Sequence, residues 1–319
     1  MNAKRILITG WTGNTGSRIL ERAARRWPSA DFVGVTRRED ASPPAEIAGR
    51  FHVAVTPLED ETALEQAAFA DHSPFDLILH VAHVHFTPPV MRLAEKWNAR
   101  RVLLVHTTGM YSRYQQYGAR YRDIDDTITR RTESGPCWTI LRPTMIYGNA
   151  RDHNLHKLIL AVARAPVLPL PGDGSAVFQP VHVEDVADAA LAALENPICR
   201  FRAYDLSGAT VATYREMLTL IGGLLDRQPV LVPVPVPLAL LLAGAGERLR
   251  PGGIGIRVEQ VRRLAENKAY SHAAAAADFG FSPRTLSTGL AEEIALLRAE
   301  GRLPAATGRG ASSVAAAEQ

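Results

Sequence analysis

The sequence predicts an α/β protein built on a doubly wound parallel sheet, followed by a smaller C-terminal lobe. Three observations lead there. Short apolar runs alternate with helix-length stretches through the first half of the chain. A glycine-rich turn joins the first run to the first stretch, and the alternation loosens from about residue 147. Strands are expected over 5–9, 32–36, 51–55, 77–82, 102–106 and 139–142. Each is apolar on both faces, as strands covered by helices on either side must be. The intervening stretches 17–27, 59–69, 90–98 and about 118–132 are long enough for right-handed crossover helices. Further on, loops rich in proline and glycine (165–174, 230–237, 251–255) alternate with helices over 184–195 and 214–225. The segment 301–319 is small, polar and rich in alanine and glycine, and is expected to be a disordered tail.

Composition narrows the class without naming an activity. With 46% hydrophobic and 22% charged residues, the 319-residue chain has ample apolar material for a large core. Its two cysteines, Cys137 and Cys199, have no paired spacing, which argues against a disulfide scaffold or thiolate zinc site and suits a reducing, cytoplasmic setting. The N-terminal apolar run ILITG is too short for the core of a signal peptide. The segment 230–246, VLVPVPVPLALLLAGAG, is interrupted by prolines and falls short of the roughly twenty apolar residues of a membrane span. A buried extended segment followed by a docking helix is expected there, with membrane attachment the weaker alternative. The net charge of +3 and the arginines of 22–26 and 130–131, which lack aromatic interleaving, read as solvated helix faces rather than a nucleic-acid surface.

The strongest local signal is ILITGWTGNTGSRIL, which sets Gly10, Gly13 and Gly16 between a strand and a helix. Gly10 permits the tight turn, Gly13 lets backbone approach a pyrophosphate, and Gly16 lets helix and strand pack closely. The helix N-terminus offers N–H groups and a positive dipole end to an anion, and Thr12, Asn14 and Thr15 can add hydrogen bonds. The turn therefore reads as a dinucleotide site and the sheet as Rossmann-like. Residues 1–146 are expected to form the dinucleotide-binding domain and 147–300 mostly a substrate lobe. The second strand ends in Arg37-Arg38 with no carboxylate at the turn, a pattern suited to a 2′-phosphate, so NADP is expected over NAD.

These segments, together with LILHVA over 77–82, VHTTGMY over 105–111, TILRP over 139–143, IYG over 146–148, QPVHVEDVA over 179–187 and DFGFSPR over 278–284, resemble the short-chain dehydrogenase/reductase superfamily. The resemblance lies with its extended or atypical branch, the NAD-dependent epimerase/dehydratase proteins, and spans about residues 4–298. It implies a hydroxyl residue after the fifth strand and a tyrosine and lysine four apart on the next helix. In such proteins the tyrosine exchanges a proton with the substrate oxygen while hydride moves to or from the nicotinamide, and the lysine lowers the tyrosine's pKa. Thr107 matches the hydroxyl position. No tyrosine is followed four residues later by lysine, and no lysine stands between Lys96 and Lys157. The alignment places Tyr117 at the family tyrosine and Tyr121 at the lysine, on one helix face. The resemblance also places Ala82 and Pro143, at the carboxyl ends of the fourth and sixth strands, beside the cofactor.

His80, His83 and His85 follow the fourth strand, where an acid/base or substrate contact is expected rather than a metal, because His80 and His83 point opposite ways along a strand. Asp185 reads as a helix cap. The resulting expectation is an NAD(P)-dependent oxidoreductase or epimerase-like enzyme acting on a hydroxyl or carbonyl of a small molecule, of which a nucleotide sugar is the class the resemblance implies. The competing expectation is a catalytically weak nucleotide-binding sensor or partner subunit, favoured by the missing lysine. Either admits a homodimer.

Overall fold

The computed structural model describes residues 3–70, 73–113, 118–131, 135–152, 154–249, 258–264 and 266–304. In the first half, β1 (Arg5–Thr9), β2 (Asp31–Thr36), β3 (Phe51–Val55), β4 (Leu77–His80), β5 (Arg101–Val105) and β6 (Cys137–Pro143) alternate with helices. These are α1 (Asn14–Arg26), α2 (Glu61–Ala68), α3 (Thr87–Lys96) and α4 (Gly118–Thr129). The chain continues through β7 (Ile146–Tyr147), α5 (Leu155–Arg164), β8 (Val167–Pro171), β9 (Val177–Phe178), β10 (Val181–His182), α6 (Val183–Glu195) and β11 (Arg202–Leu206). It ends with β12 (Ala212–Thr213), α7 (Tyr214–Leu225), β13 (Val230–Val234), α8 (Val236–Leu249), α9 (Val258–Leu264), α10 (Ala273–Phe279) and α11 (Leu286–Ala299).

Seven parallel strands form the central sheet in the order β11-β6-β5-β4-β1-β2-β3. The strand order reverses between β1 and its neighbours β2 and β4, which opens a crevice at their carboxyl ends. Alternation along β1 splits the core in two. Ile6 and Ile8 pack with Ile19, Leu20 and Val186 on the face covered by α1 and α6. Leu7 packs with Leu64, Met91 and Ile128 on the face covered by α2, α3 and α4. The doubly wound sheet is as the sequence predicts.

Several expectations need correction. The seventh strand, β11, and its helix α6 lie beyond residue 146 and rejoin the first sheet, so the chain crosses the expected boundary and returns. The sequence RAYDL hides this edge strand because only Tyr204 and Leu206 are buried. The proline-rich runs 165–174 and 230–237 contain paired strands rather than loops alone: β8 and β13 run parallel, with Val232 opposite Pro169 and Pro233 opposite Leu170. A two-stranded ribbon has two free edges, which tolerate residues that cannot donate. Nor is that segment buried, since Val230 is 61% and Val232 42% exposed.

Of the arginines of α1, Arg25 is exposed as expected of a solvated face, but others are paired. Arg18 and Arg22 pair with Glu184, Arg22 with Asp188 and Arg26 with Glu195, all on α6. Asp185 does not cap α6; His182 does, accepting from Glu184 N–H. The Asp185 carboxylate instead takes the Arg284 backbone N–H and guanidinium, both at 2.9 Å, tying α6 to the segment before α11. A third core cluster, with Tyr147, Leu155, Ile159, Met217, Ile221, Leu290 and Ile294, unites α5, α7 and α11 in the second lobe. Among the described residues no helix is long and apolar enough to cross a membrane. The expected helix over 118–132 ends at Thr129, and residues 305–319 of the expected tail lie outside the described residues.

Candidate active site at the sheet's carboxyl edge

The glycine-rich turn has the geometry its three glycines imply. Gly10 adopts φ +70°, and a Cβ there would lie 2.7 Å from the backbone nitrogen of Ala82. A Cβ on Gly16 would lie 2.1 Å from the Gly10 carbonyl oxygen, so helix α1 sits as close to the turn as backbone allows. Gly13 is exposed and serves as N-cap of α1, and no side chain caps that helix end. An N-terminus left uncapped by side chains, next to a bare exposed glycine, is suited to a diphosphate, and these residues fit a dinucleotide. Thr12, Asn14 and Thr15 are all half-buried around it. Ala82 stands directly against the turn. Pro143 is buried at the end of β6, its carbonyl accepting from the Thr108 hydroxyl at 3.3 Å.

The end of β1 is fixed to the end of β4 through Thr9. Its hydroxyl oxygen accepts from Ala82 N–H at 3.3 Å and contacts His80 Nδ1 at 2.8 Å. The buried imidazole shares this hydroxyl as donor or acceptor according to its tautomer, and it is neutral. Complete burial agrees, pushing its pKa down to about 3, with His106 and His83 adding to the shift. His80 is therefore a strut beneath the turn, not an acid or base at neutral pH.

His83 and His85 lie apart from it, their rings 4.6 Å from one another edge to face. His83 is exposed, and its Nδ1 accepts from His85 N–H at 3.4 Å, which leaves the ring proton on Nε2. That nitrogen lies 3.1 Å from the Tyr121 hydroxyl. Tyr121, at the position of the family's lysine, is only 4% exposed and packs with Val84, Met110 and Ile124. The exposed partner of the pair is thus His83, with its pKa lowered by partial burial. Among the described residues no three metal-ligating side chains converge. Tyr117 lies outside the described residues. Thr107 is half-buried, and its hydroxyl accepts from Gly109 N–H at 3.0 Å, capping the short 3-10 turn over Thr108–Tyr111.

Helix α4 is anchored by a polar network that the sequence did not reveal. Asp125 is buried at its centre. It accepts from His106 Nδ1 at 2.8 Å and from Arg142 Nε at 3.0 Å, with a second bond from Arg142 Nη2. His106 Nε2 in turn lies 3.1 Å from the Thr87 hydroxyl on α3. Burial alone would raise the Asp125 pKa, but hydrogen bonds from His106 and Arg142 outweigh it and hold the carboxyl below its ordinary range. The free side of Arg142 faces Tyr111, 3.4 Å from its hydroxyl, and Asp205 at 3.7 Å. Tyr111 donates to Asp205 at 3.2 Å, and burial together with that carboxylate pushes its phenol up to about 12. Tyr111 is thereby a hydrogen-bond donor rather than a base, stacked obliquely on Tyr270 with ring centres 5.2 Å apart. His106 and Tyr111 lie in the segment VHTTGMY and Arg142 in TILRP, but Asp125, Asp205 and Thr87 sit far from them in sequence.

The two arginines after β2 behave differently from one another. Arg37 is exposed, whereas Arg38 is tied to Asp40 by two hydrogen bonds of 3.1 and 2.8 Å. Two residues beyond residue 146 also reach the turn: Asn149 donates to the Asn14 side chain at 2.6 Å, and Arg151 donates to the Thr12 carbonyl.

Comparison with known proteins agrees with this arrangement. A model of the NAD dependent epimerase/dehydratase family matches residues 6–200. An uncharacterized oxidoreductase, YesF, of Bacillus subtilis is 23% identical over 72% of this chain and 73% of its own. A mitochondrial NADH dehydrogenase [ubiquinone] 1 alpha subcomplex subunit 9 of Arabidopsis thaliana is 35% identical over 92 residues, 28% of this chain. That match spans only 23% of the plant protein. Among solved structures, a UDP-glucose 4-epimerase from Thermus thermophilus in complex with NAD superposes with a TM-score of 0.67 at 19% identity, covering 92% of this chain and 99% of the other. The family model spans the glycine-rich turn, all of the sheet's first six strands and helix α4, and the protein belongs to the NAD dependent epimerase/dehydratase family.

Proposed function

We propose that the protein is an NAD(P)-dependent oxidoreductase of the epimerase/dehydratase type, acting on a hydroxyl or carbonyl carbon of a small molecule. The observation that carries this reading is the 3.1 Å contact between Tyr121 and His83, one residue from the Ala82 that touches the glycine-rich turn. A bound nicotinamide supplies hydride chemistry that the side chains of this protein cannot. What the protein must add is a proton at the substrate oxygen. His83 directs its Nε2–H at the Tyr121 oxygen, where it can steady the charge left as the phenol gives up its proton. In this reading the pair takes over from a tyrosine–lysine dyad. The phenol exchanges its proton with the substrate oxygen, while His83 keeps its own Nε2 proton as the donor to the Tyr121 oxygen.

Thr107 follows β5, and Tyr111, Arg142 and Asp205 offer polar contacts toward the end of β6. A sugar hydroxyl array suits that set, and the sugar-nucleotide epimerase sharing this fold supports a nucleotide sugar as substrate. NADP is favoured over NAD by Arg37 and Arg38. Two free cysteines support a reducing compartment such as the cytoplasm. The experiment is a turnover screen of carbonyl and sugar-nucleotide substrates with both cofactors, on the wild type, Tyr121→Phe and His83→Gln. Each substitution should lower kcat/KM by about 100-fold or more, the usual range of a general acid/base, while nucleotide affinity stays within about twofold. Unchanged kcat/KM in both variants contradicts the role given to this pair.

A second reading has its own support in the absent lysine and the plant relative, a subunit of an NADH dehydrogenase [ubiquinone], namely a partner subunit that binds nucleotide without turnover. Tight nucleotide binding with no turnover across the screen favours it.

A further inference from the structure

The cleft beside the glycine-rich turn is met by arginines from both lobes. It encloses about 370 Å3 on the α1 side of the turn, between Trp11, Thr12, Ser17, Arg38, Asp40 and Arg151. Arg38 has its guanidinium occupied by Asp40 through two hydrogen bonds, and the arginine holds the Asp40 carboxyl below the usual carboxylate range. Arg151 uses one N–H on the Thr12 carbonyl, and among the described residues no carboxylate pairs with it. Its placement is built in. Asn149 is buried, accepts the Arg151 backbone N–H at 2.9 Å and donates to Asn14 at 2.6 Å, so the segment after β7 is pinned to the turn where Arg151 overhangs the cleft.

We infer that Arg151, delivered from the second lobe, and Arg38 form a clamp for the 2′-phosphate of NADP(H), and that Asp40 is the anion the phosphate displaces from Arg38. The inference rests on the dinucleotide reading above. Guanidinium is the side chain whose fixed fork matches phosphate oxygens two at a time. The charges in the cleft are Arg38 and Arg151 against Asp40 and Glu21, and Glu21 is held by Arg18 at 3.3 Å. A phosphate entering that balance gains from both arginines only once Asp40 releases its own. The Arg38–Asp40 pair is exposed on both sides, the kind of ion pair that holds weakly. A plain ribose hydroxyl has no such competition. Cofactor preference is then a difference set by Arg151, which favours phosphate, and Asp40, which opposes it.

Calorimetric titration of the full chain with adenosine 2′,5′-bisphosphate and with 5′-AMP isolates the added phosphate. Arg151→Gln should weaken the bisphosphate by about tenfold or more, the scale of a lost charge-assisted bond, and AMP by less than about twofold. Asp40→Asn should tighten the bisphosphate several-fold, about as an exposed competing ion pair would dictate, and leave AMP unchanged. If Arg151→Gln fails to fold, Arg151→Lys, which keeps charge but not the fork, should show a smaller loss confined to the bisphosphate. Equal losses for the two ligands would make Arg151 a support of the turn alone and overturn the inference, as would no loss for either. Binding of AMP with no preference for the bisphosphate in the wild type overturns the clamp but leaves the dinucleotide reading intact. Binding of neither ligand overturns both.

Discussion

Asp125 on α4 and Arg142 on β6 form a two-bond ion pair at the carboxyl edge of the sheet, and the carboxylate is 1% exposed. The pair, with His106, fixes the helix that carries Tyr121 against the strand ends that frame the crevice. A buried charge stripped of its partner is costly, so Asp125→Ala should destabilise the protein by about 3–5 kcal/mol, measured by urea unfolding at pH 7. The pH dependence follows from the depressed carboxyl. Its stabilisation is present above the ordinary carboxylate pKa of about 4 and is lost as pH falls through the lower folded value. Wild type should therefore lose more stability on acidification than Asp125→Asn does, and parallel curves would contradict the role given to this pair.

Glu293 behaves in the opposite sense. It is fully buried on α11, accepts the Gly148 N–H at 3.2 Å, and is pushed up to about 9 by burial and by the neighbouring Asp152. A raised carboxyl pKa means stability that is complete below the unfolded value and declines as pH rises toward the folded one. Between about 4.5 and about 9 the wild type should lose stability steadily as pH rises, through this group. Glu293→Gln should flatten that slope and be the more stable protein at pH 8.5 in urea melts. A slope unchanged by the substitution would show that Glu293 is not the group responsible.

The tightness of the glycine-rich turn is testable by two alanines. Gly16→Ala places a Cβ against the Gly10 carbonyl, where no side chain can yield, and should cost about 1–3 kcal/mol and abolish nucleotide binding. Gly49→Ala meets nothing within 4 Å and should stay within about 0.5 kcal/mol of wild type. Similar effects at the two positions would mean that the turn does not depend on close backbone approach.

Tyr111 offers a contrast with Tyr121. Its phenol is held at about 12 by burial and Asp205, too high to serve as a base near neutrality. Tyr111→Phe should leave the shape of the kcat/KM pH profile unchanged, whatever it does to KM through the lost contact with Asp205. A shift in the profile would assign Tyr111 a proton-transfer role and weaken the case for Tyr121.

Much of this architecture is legible in the sequence, for identifiable reasons. Most strands of the first half announce themselves as apolar runs because both faces are buried, although edge strand β3 leaves His52 and Val55 exposed, and Gly10, Gly13 and Gly16 declare the turn because only glycine fits their spaces. β11 escapes notice because an edge strand needs only Tyr204 and Leu206 inside. β8 and β13 escape because their prolines read as loop, although a two-stranded ribbon accommodates them. The Asp125–Arg142–His106 network joins a helix to two strand ends, and no local pattern encodes such a meeting. His83 lay within a histidine cluster visible in the sequence. What picked it out was its tautomer, its exposure and its distance from Tyr121, all properties of the folded chain. Arg151 carries no local signal, since its place beside Thr12 depends on the second lobe folding back.

The central claim is that the crevice at the carboxyl ends of β1 and β4 binds a nicotinamide dinucleotide. Equilibrium titration of the protein with NADPH and NADH, followed by energy transfer from Trp11, which lines the cleft beside the turn, tests it directly. Saturable binding at one site per chain, tighter for NADPH and abolished by Gly16→Ala, is the predicted result. Absence of binding by either nucleotide to the folded wild-type protein would contradict it.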